Sequence, residues 1–133
     1  MASVLDTSAL LAALQGEPGH ERVDEALLGG ECCMSTVNLA EFASKCLAGG
    51  VSDSDFQHLL AGFDLTIVAF DREQALTTAK LRATTRHLGL SLGDRACLAL
   101  AIKLNATVIT ADRLWTQVPP LGIRIDCIRP DQH

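Results

Sequence analysis

The residues of this chain best suited to chemistry are acids set into apolar sequence. Asp6 in "VLDTSALL", Glu41 in "NLAEFA", Asp94 in "LSLGDRACLALA" and Asp112 in "VITAD" each stand among side chains of a protein interior. Any one of them alone reads as ordinary. An Asp at a helix start contributes about 0.5–2 kcal/mol as a cap, and an Asp after a strand suits a turn. Together they call for more. Carboxylates that converge without counter-charge repel and raise one another's pKa, and a divalent cation removes that cost. Oxygen-only ligation suits a hard ion such as Mg2+ or Mn2+. An acidic cluster holding such ions can activate water for in-line attack on a phosphodiester. That chemistry requires neither a nucleophilic Ser or Cys nor a histidine base. The histidines His20, His58, His87 and His133 are scattered along the chain and read as surface residues.

Short apolar runs that alternate with helix-like stretches must position these acids. "ASVLD" (2–6), "ECCMS" (31–35), "LTIVAF" (65–70), "ATVIT" (106–110) and "IRIDCI" (123–128) read as strands, the last at an edge. Between them, 7–14 reads as a helix capped by Thr7 or Ser8, and 17–30 as a helix with Val23, Ala26 and Leu27 inward and a Gly-Gly stop. A third helix, 36–50, places Leu39, Phe42, Ala43 and Cys46 on one face. The next, 52–63, is capped by Ser-Asp, and 71–89 is amphipathic with Leu76, Ala79 and Ala83 inward. Leu92–Leu104 is apolar on nearly every side, so it belongs in the interior. The pattern predicts an α/β sandwich with a largely parallel sheet. Ligands of such sheets bind beyond the carboxyl ends of the strands, where Asp6, Asp94 and Asp112 can meet, with Glu41 a fourth candidate on the helix after "CCMS".

Length and composition bound the answer. With 133 residues, 48% of them hydrophobic and 20% charged, the chain reads as one globular domain, 1–133. No stretch approaches the roughly 20 apolar residues of a membrane span, and "MASVLDTSALL" lacks the basic start of a signal peptide. The expected compartment is the cytoplasm. The cysteines, Cys32, Cys33, Cys46, Cys97 and Cys127, form no C-x-x-C pair and read as reduced, mostly buried thiols. A net charge of −5 argues against a general electrostatic grip on nucleic acid. It leaves room for one mediated by bound cations, and for a basic protein partner.

Four blocks in order, "VLDTSALLA", "STVNLAEF", "LSLGDRACLALA" and "TVITADRLW", resemble the successive blocks of PIN-domain ribonucleases. More narrowly they resemble the VapC-type toxins of bacterial type II toxin–antitoxin pairs, over essentially the whole chain. The resemblance implies a PIN-like three-layer sandwich, a central sheet flanked by helices, and a Mg2+- or Mn2+-dependent endoribonuclease acting on RNA. It also implies a cognate antitoxin and a homodimer. The family's acidic quartet falls on Asp6, Glu41 and Asp94 as main metal ligands, with Asp112 binding directly or through water. The hydroxyl before the last acid matches Thr110, which would orient that carboxylate or a water on the metal. Ser8 and Ser35 are further supporting positions.

Other features admit two readings each. Arg95 can touch an RNA phosphate or pair with a nearby acid. Arg82 and Arg86, four apart on a helix, can form a backbone-binding strip or a solvated face. Trp115 fits the core better than base stacking. Leu10, Leu11 and Leu14 can be core or part of a groove for a partner helix. The alternative to an enzyme is a catalytically silent PIN-like module that docks RNA or protein. Phosphoacceptor receivers and aspartate-nucleophile phosphatases fit poorly: "VLDTS" carries one acid and no D-x-D.

Overall fold

The computed structural model describes residues 2–129. Strands β1 (Ser3–Leu5), β2 (Cys32–Ser35), β3 (Leu65–Val68), β4 (Thr107–Thr110) and β5 (Ile125–Cys127) form one sheet in the order β3-β2-β1-β4-β5. Every neighbouring pair is parallel, with Val4 opposite Cys33 and Val108, and Thr110 opposite Cys127. Parallel strands need crossovers, which the intervening helices supply.

Period-two alternation divides the strand side chains between two faces. Leu5, Cys32, Met34 and Ile109 join one core with residues of α1 (Thr7–Gln15), α2 (His20–Leu28), α3 (Thr36–Ala48) and α4 (Asp53–Ala61). Val4, Cys33 and Val108 join the other with residues of α5 (Arg72–Thr85) and α6 (Leu92–Leu104) and with Trp115, which is 1% exposed. The result is the three-layer α/β sandwich that the alternation of elements predicts. Each large side chain so buried contributes roughly 1.5–3 kcal/mol. The cysteines are all free thiols. Burial pushes Cys32 up to about 11 and Cys97 well above the usual thiol range, so these groups stay protonated.

α6 is the interior helix expected from its sequence. Gly93 and Ala96 to Ala101 are buried, and the helix ends on Asn105 in the left-handed region, at φ 50°. Two local expectations fail. The cap of α1 is Asp6, whose carboxylate accepts from the Ala9 amide, rather than Thr7 or Ser8. On α5 the buried residues are Gln74, Thr78, Leu81 and Thr85, while Leu76 is 51% exposed and Ala79 and Ala83 face solvent. Alanines mark a face only weakly, and hydrogen bonds offset part of the cost of burying the polar face, although Gln74 Oε1 and Thr78 Oγ1 have no partner. Gln74 donates to the Ala69 carbonyl at 3.0 Å and Thr85 to the Leu81 carbonyl at 2.7 Å.

Candidate active site

The chain runs from β1 outward through β2 to β3, then returns to the other side of β1 for β4 and β5. β1 and β4 therefore flank the point where strand order reverses, and a crevice opens beyond their carboxyl ends. Asp6 directly follows β1, and Asp112 lies just past β4. α3, leaving β2, carries Glu41, and α6 brings Asp94 in its first turn. These acids line one cavity of about 250 Å3 together with Thr7, Ser8, Asn38, Lys45 and Ser91.

Each carboxylate is held by short polar bonds. Asp6, 4% exposed, accepts from the Ala9 amide at 2.8 Å, from Ser8 Oγ at 2.8 and 2.9 Å, and from Thr110 Oγ1 at 2.6 Å. Ser8 Oγ and Thr110 Oγ1 in turn accept from the amides of Ala111 and Asp112, both at 3.0 Å. Thr110 thus orients the Asp6 carboxylate and the Asp112 backbone, rather than the Asp112 carboxylate. Asp112 Oδ1 accepts from Leu114 N at 2.9 Å and caps the 3₁₀ turn Arg113–Gln117. Glu41 Oε1 accepts from Thr7 Oγ1 at 2.9 Å and from Asn38 Nδ2 at 3.0 Å. Asp94 closes a capping box with Ser91: each backbone amide donates to the other's side chain, at 2.9 and 3.1 Å.

α3 and α6 meet closely here. A methyl group on Gly93 would stand 2.4 Å from both Glu41 carboxylate oxygens, so any larger residue there would displace the carboxylate. Asn38, 1% exposed, spans the contact by donating to Gly93 O at 3.1 Å as well as to Glu41. Its Oδ1 is buried without a hydrogen-bond partner.

Burial, reinforced by the charge of Asp94, raises Asp6 to about 6 despite the donors from Thr110, Ala9 and Ser8. Asp94 is raised as well, first by burial, then by the charges of Asp112 and Glu41, against the hydrogen bonds from Ser91. The donor set is oxygen-only and short of positive charge, and it fits a hard divalent cation, as does the unsatisfied Asn38 Oδ1 in the same cavity wall. Among the described residues, however, no group of three or more His, Cys, Asp or Glu stands arranged to hold a metal ion as a ready-made set. The carboxylates are tied to their own hydroxyls and amides instead.

The remaining expected positions fall elsewhere. Ser35 is fully buried and caps α3 through the Val37 amide at 3.1 Å, without touching an acid. Arg95 pairs with no acid among the described residues: its Nη1 donates to the Thr78 carbonyl at 3.0 Å. Arg95, Arg82 and Arg86 line a separate cleft that shares Ser91 with the acidic cavity. His20 sits 2.8 Å from Asp24 on its own helix, His58 and His87 are exposed, and His133 lies outside the described residues. Sequence reasoning missed Asn38, Thr7, Lys45 and Gly93. The N-x-x-E spacing of Asn38 and Glu41 on one helix was the available signal for the first.

The PIN domain family matches residues 3–119. No curated protein matches the chain by sequence. Among solved structures, a DNA-bound VapBC from Salmonella typhimurium superimposes with a TM-score of 0.77 at 21% identity, over 97% of this chain and 99% of that one. VapBC-1 of nontypeable Haemophilus influenzae gives 0.71 at 19% identity, over 96% and 98%. VapBC-5 of Mycobacterium tuberculosis, a member of the VapBC family of toxin–antitoxin systems, gives 0.67 at 27% identity, over 95% and 98%.

Proposed function

This chain belongs to the PIN-domain family, and from that premise we propose that it is a Mg2+- or Mn2+-dependent endoribonuclease, the toxin of a toxin–antitoxin pair. The observation that carries the reading is the gathering of Asp6, Glu41, Asp94 and Asp112 on one cavity at the switch point of the sheet. Those four residues would hold the ion. When bound, it activates water and neutralises charge on the scissile phosphodiester. The chain's part is positional. Ser8 and Thr110 fix the Asp6 carboxylate, Thr7 and Asn38 fix Glu41, and the α6 amino terminus favours an ionised Asp94.

Two further features support the toxin reading. A groove lined by Leu11, Leu14, Cys46 and Val51 adjoins the acidic cavity through Lys45, which lines both. Such an apolar path to the site suits a segment of an antitoxin, and one of the solved structures named above, VapBC-5, is a member of a family of toxin–antitoxin systems. Exposed Leu92 (58%) and Leu76 (51%) supply apolar surface for a homodimer. Among the described residues no helix is long and apolar enough to cross a membrane, and free thiols fit a reducing compartment, here the cytoplasm.

The test is cleavage of a total-RNA pool with Mg2+ or Mn2+ against EDTA, beside Asp94→Asn. Metal-dependent fragments absent in the variant are expected. Their absence from the folded, inhibitor-free wild type would sink the nuclease reading. It would favour the second one, a silent docking module, which the lack of a preassembled ligand set among the described residues also suits.

A further inference from the structure

Four arginines stand around the acidic cavity without a carboxylate of their own. Arg22 pairs with Asp126, Arg129 with Glu17 at 3.6 Å, and Lys103 with Asp71 and Glu73. Arg82, Arg86, Arg95 and Arg113 form no ion pair among the described residues. Their placement is not random. A cleft of about 290 Å3 lined by Arg82, Arg86 and Arg95 meets the acidic cavity at Ser91. A second cleft, of about 610 Å3 and lined by Arg113 and Arg129, meets it at Ser8 and Asp112. Two of these guanidinium groups are also anchored. Arg95 donates to Thr78 O, Arg129 pairs with Glu17, and each keeps a buried Nε–H with no partner.

In a chain of net charge −5, this leaves cations on two separate walls of an anionic centre. A single small anion needs only one such wall. A polyanion that must lie across repelling carboxylates needs compensating charge where it enters and where it leaves. We propose that the two clefts are arms of one track for an RNA strand. Arg82 and Arg86, with Arg95 behind them, hold phosphates on the α6 side of the scissile linkage. Arg113 holds phosphates on the β4 side, with Arg129, already paired with Glu17, beside it in the same cleft. Base edges have no assigned donor in either arm, so the grip is on the backbone. The inference rests on the nuclease reading for its direction across the acids, but binding tests it separately.

The experiment is fluorescence anisotropy of a labelled, random-sequence RNA of roughly 20 nucleotides, titrated in EDTA over a salt series, where each phosphate neutralised on a single strand contributes about −0.7 to the slope of log K against log salt. Arg82→Ala with Arg86→Ala is expected to weaken binding several-fold and flatten the slope by about 1.4, and Arg113→Ala by about 0.7. Arg124→Ala is the control. It also has no ion pair among the described residues, but it precedes β5, at the amino ends of the strands, and lines another cleft. The track is wrong if wild type does not bind, if either arm's variants keep the wild-type slope, or if Arg124→Ala flattens it equally. Arginine-dependent binding without metal-dependent cleavage would keep the track and remove the nuclease. Cleavage with arginine-independent binding would do the reverse.

Discussion

Asn38 donates its amide to two acceptors at once, the Glu41 carboxylate at 3.0 Å and the Gly93 carbonyl at 3.1 Å. The first bond fixes a charge, and the second fixes the helix that carries Asp94 relative to it. Asn38→Ala removes both bonds, one of them to a charged group, at a cost of about 1–3 kcal/mol. It also frees Glu41 to leave the cavity wall. Supporting residues of this kind typically change metal affinity by about 10–100-fold. Calorimetric titration with Mn2+ is therefore expected to show that loss in a variant whose circular dichroism is native. Unchanged affinity would mean that Glu41 is held by Thr7 alone, or holds no metal. The acids themselves were legible in the sequence because charge inside apolar runs is costly unless used. Asn38 was not legible in the same way, because its meaning lies in a contact 55 residues away, between helices whose approach no local spacing encodes.

Helix α6 and helix α5 show where pattern reading succeeds and where it stops. α6 has so few polar residues that no choice of face arises, and its buried run follows directly. α5 offers two candidate faces. The one holding Leu76, Ala79 and Ala83 looks apolar, yet the face holding Gln74, Thr78, Leu81 and Thr85 is buried: α6 packs on Leu81 and backbone carbonyls accept from Gln74 and Thr85, while Gln74 Oε1 and Thr78 Oγ1 go without a partner. Hydrophobicity alone ranks these faces wrongly whenever hydrogen bonds are available to the polar one. The consequence is measurable by urea denaturation. Leu81→Ala is expected to cost about 2–5 kcal/mol. Leu76→Ala, at a position 51% exposed, is expected to stay within about 0.5 kcal/mol. Equal costs would return Leu76 to the core. The strands were read with similar success and a similar limit. Their alternation with helices implies a parallel sheet, but not the order β3-β2-β1-β4-β5, since either direction of crossover satisfies the same local sequence.

At the scale of the whole molecule, that strand order creates both the site and its electrostatic cost. Reversal at β1 brings Asp6 and Asp112 to the same crevice, and the helices add Glu41 and Asp94, so folding concentrates negative charge that the unfolded chain keeps apart. Asp6 registers the cost most clearly, raised from 3.8 to about 6, chiefly by burial and further by Asp94. A carboxyl whose folded pKa is raised binds its proton more tightly when folded, so its contribution to stability is present below about 3.8 and lost as pH climbs through about 6. Asp71, lowered first by its bond to Lys103, acts in the opposite sense, so the informative quantity is the difference between wild type and Asp6→Asn. Without divalent ions, that difference is expected to shift against the wild type by about 2–3 kcal/mol between pH 4 and pH 7. Excess Mg2+ should reverse the shift at pH 7, by about 2.7 kcal/mol at a hundred times its Kd, and do little at pH 4, where Asp6 holds a proton. Thermal denaturation of both proteins at the two pH values, with Mg2+ and with EDTA, measures all of this at once. A difference that stays flat with pH would show that Asp6 does not bear the charge cost of the site, and a flat response to Mg2+ at pH 7 would show that no cation relieves it.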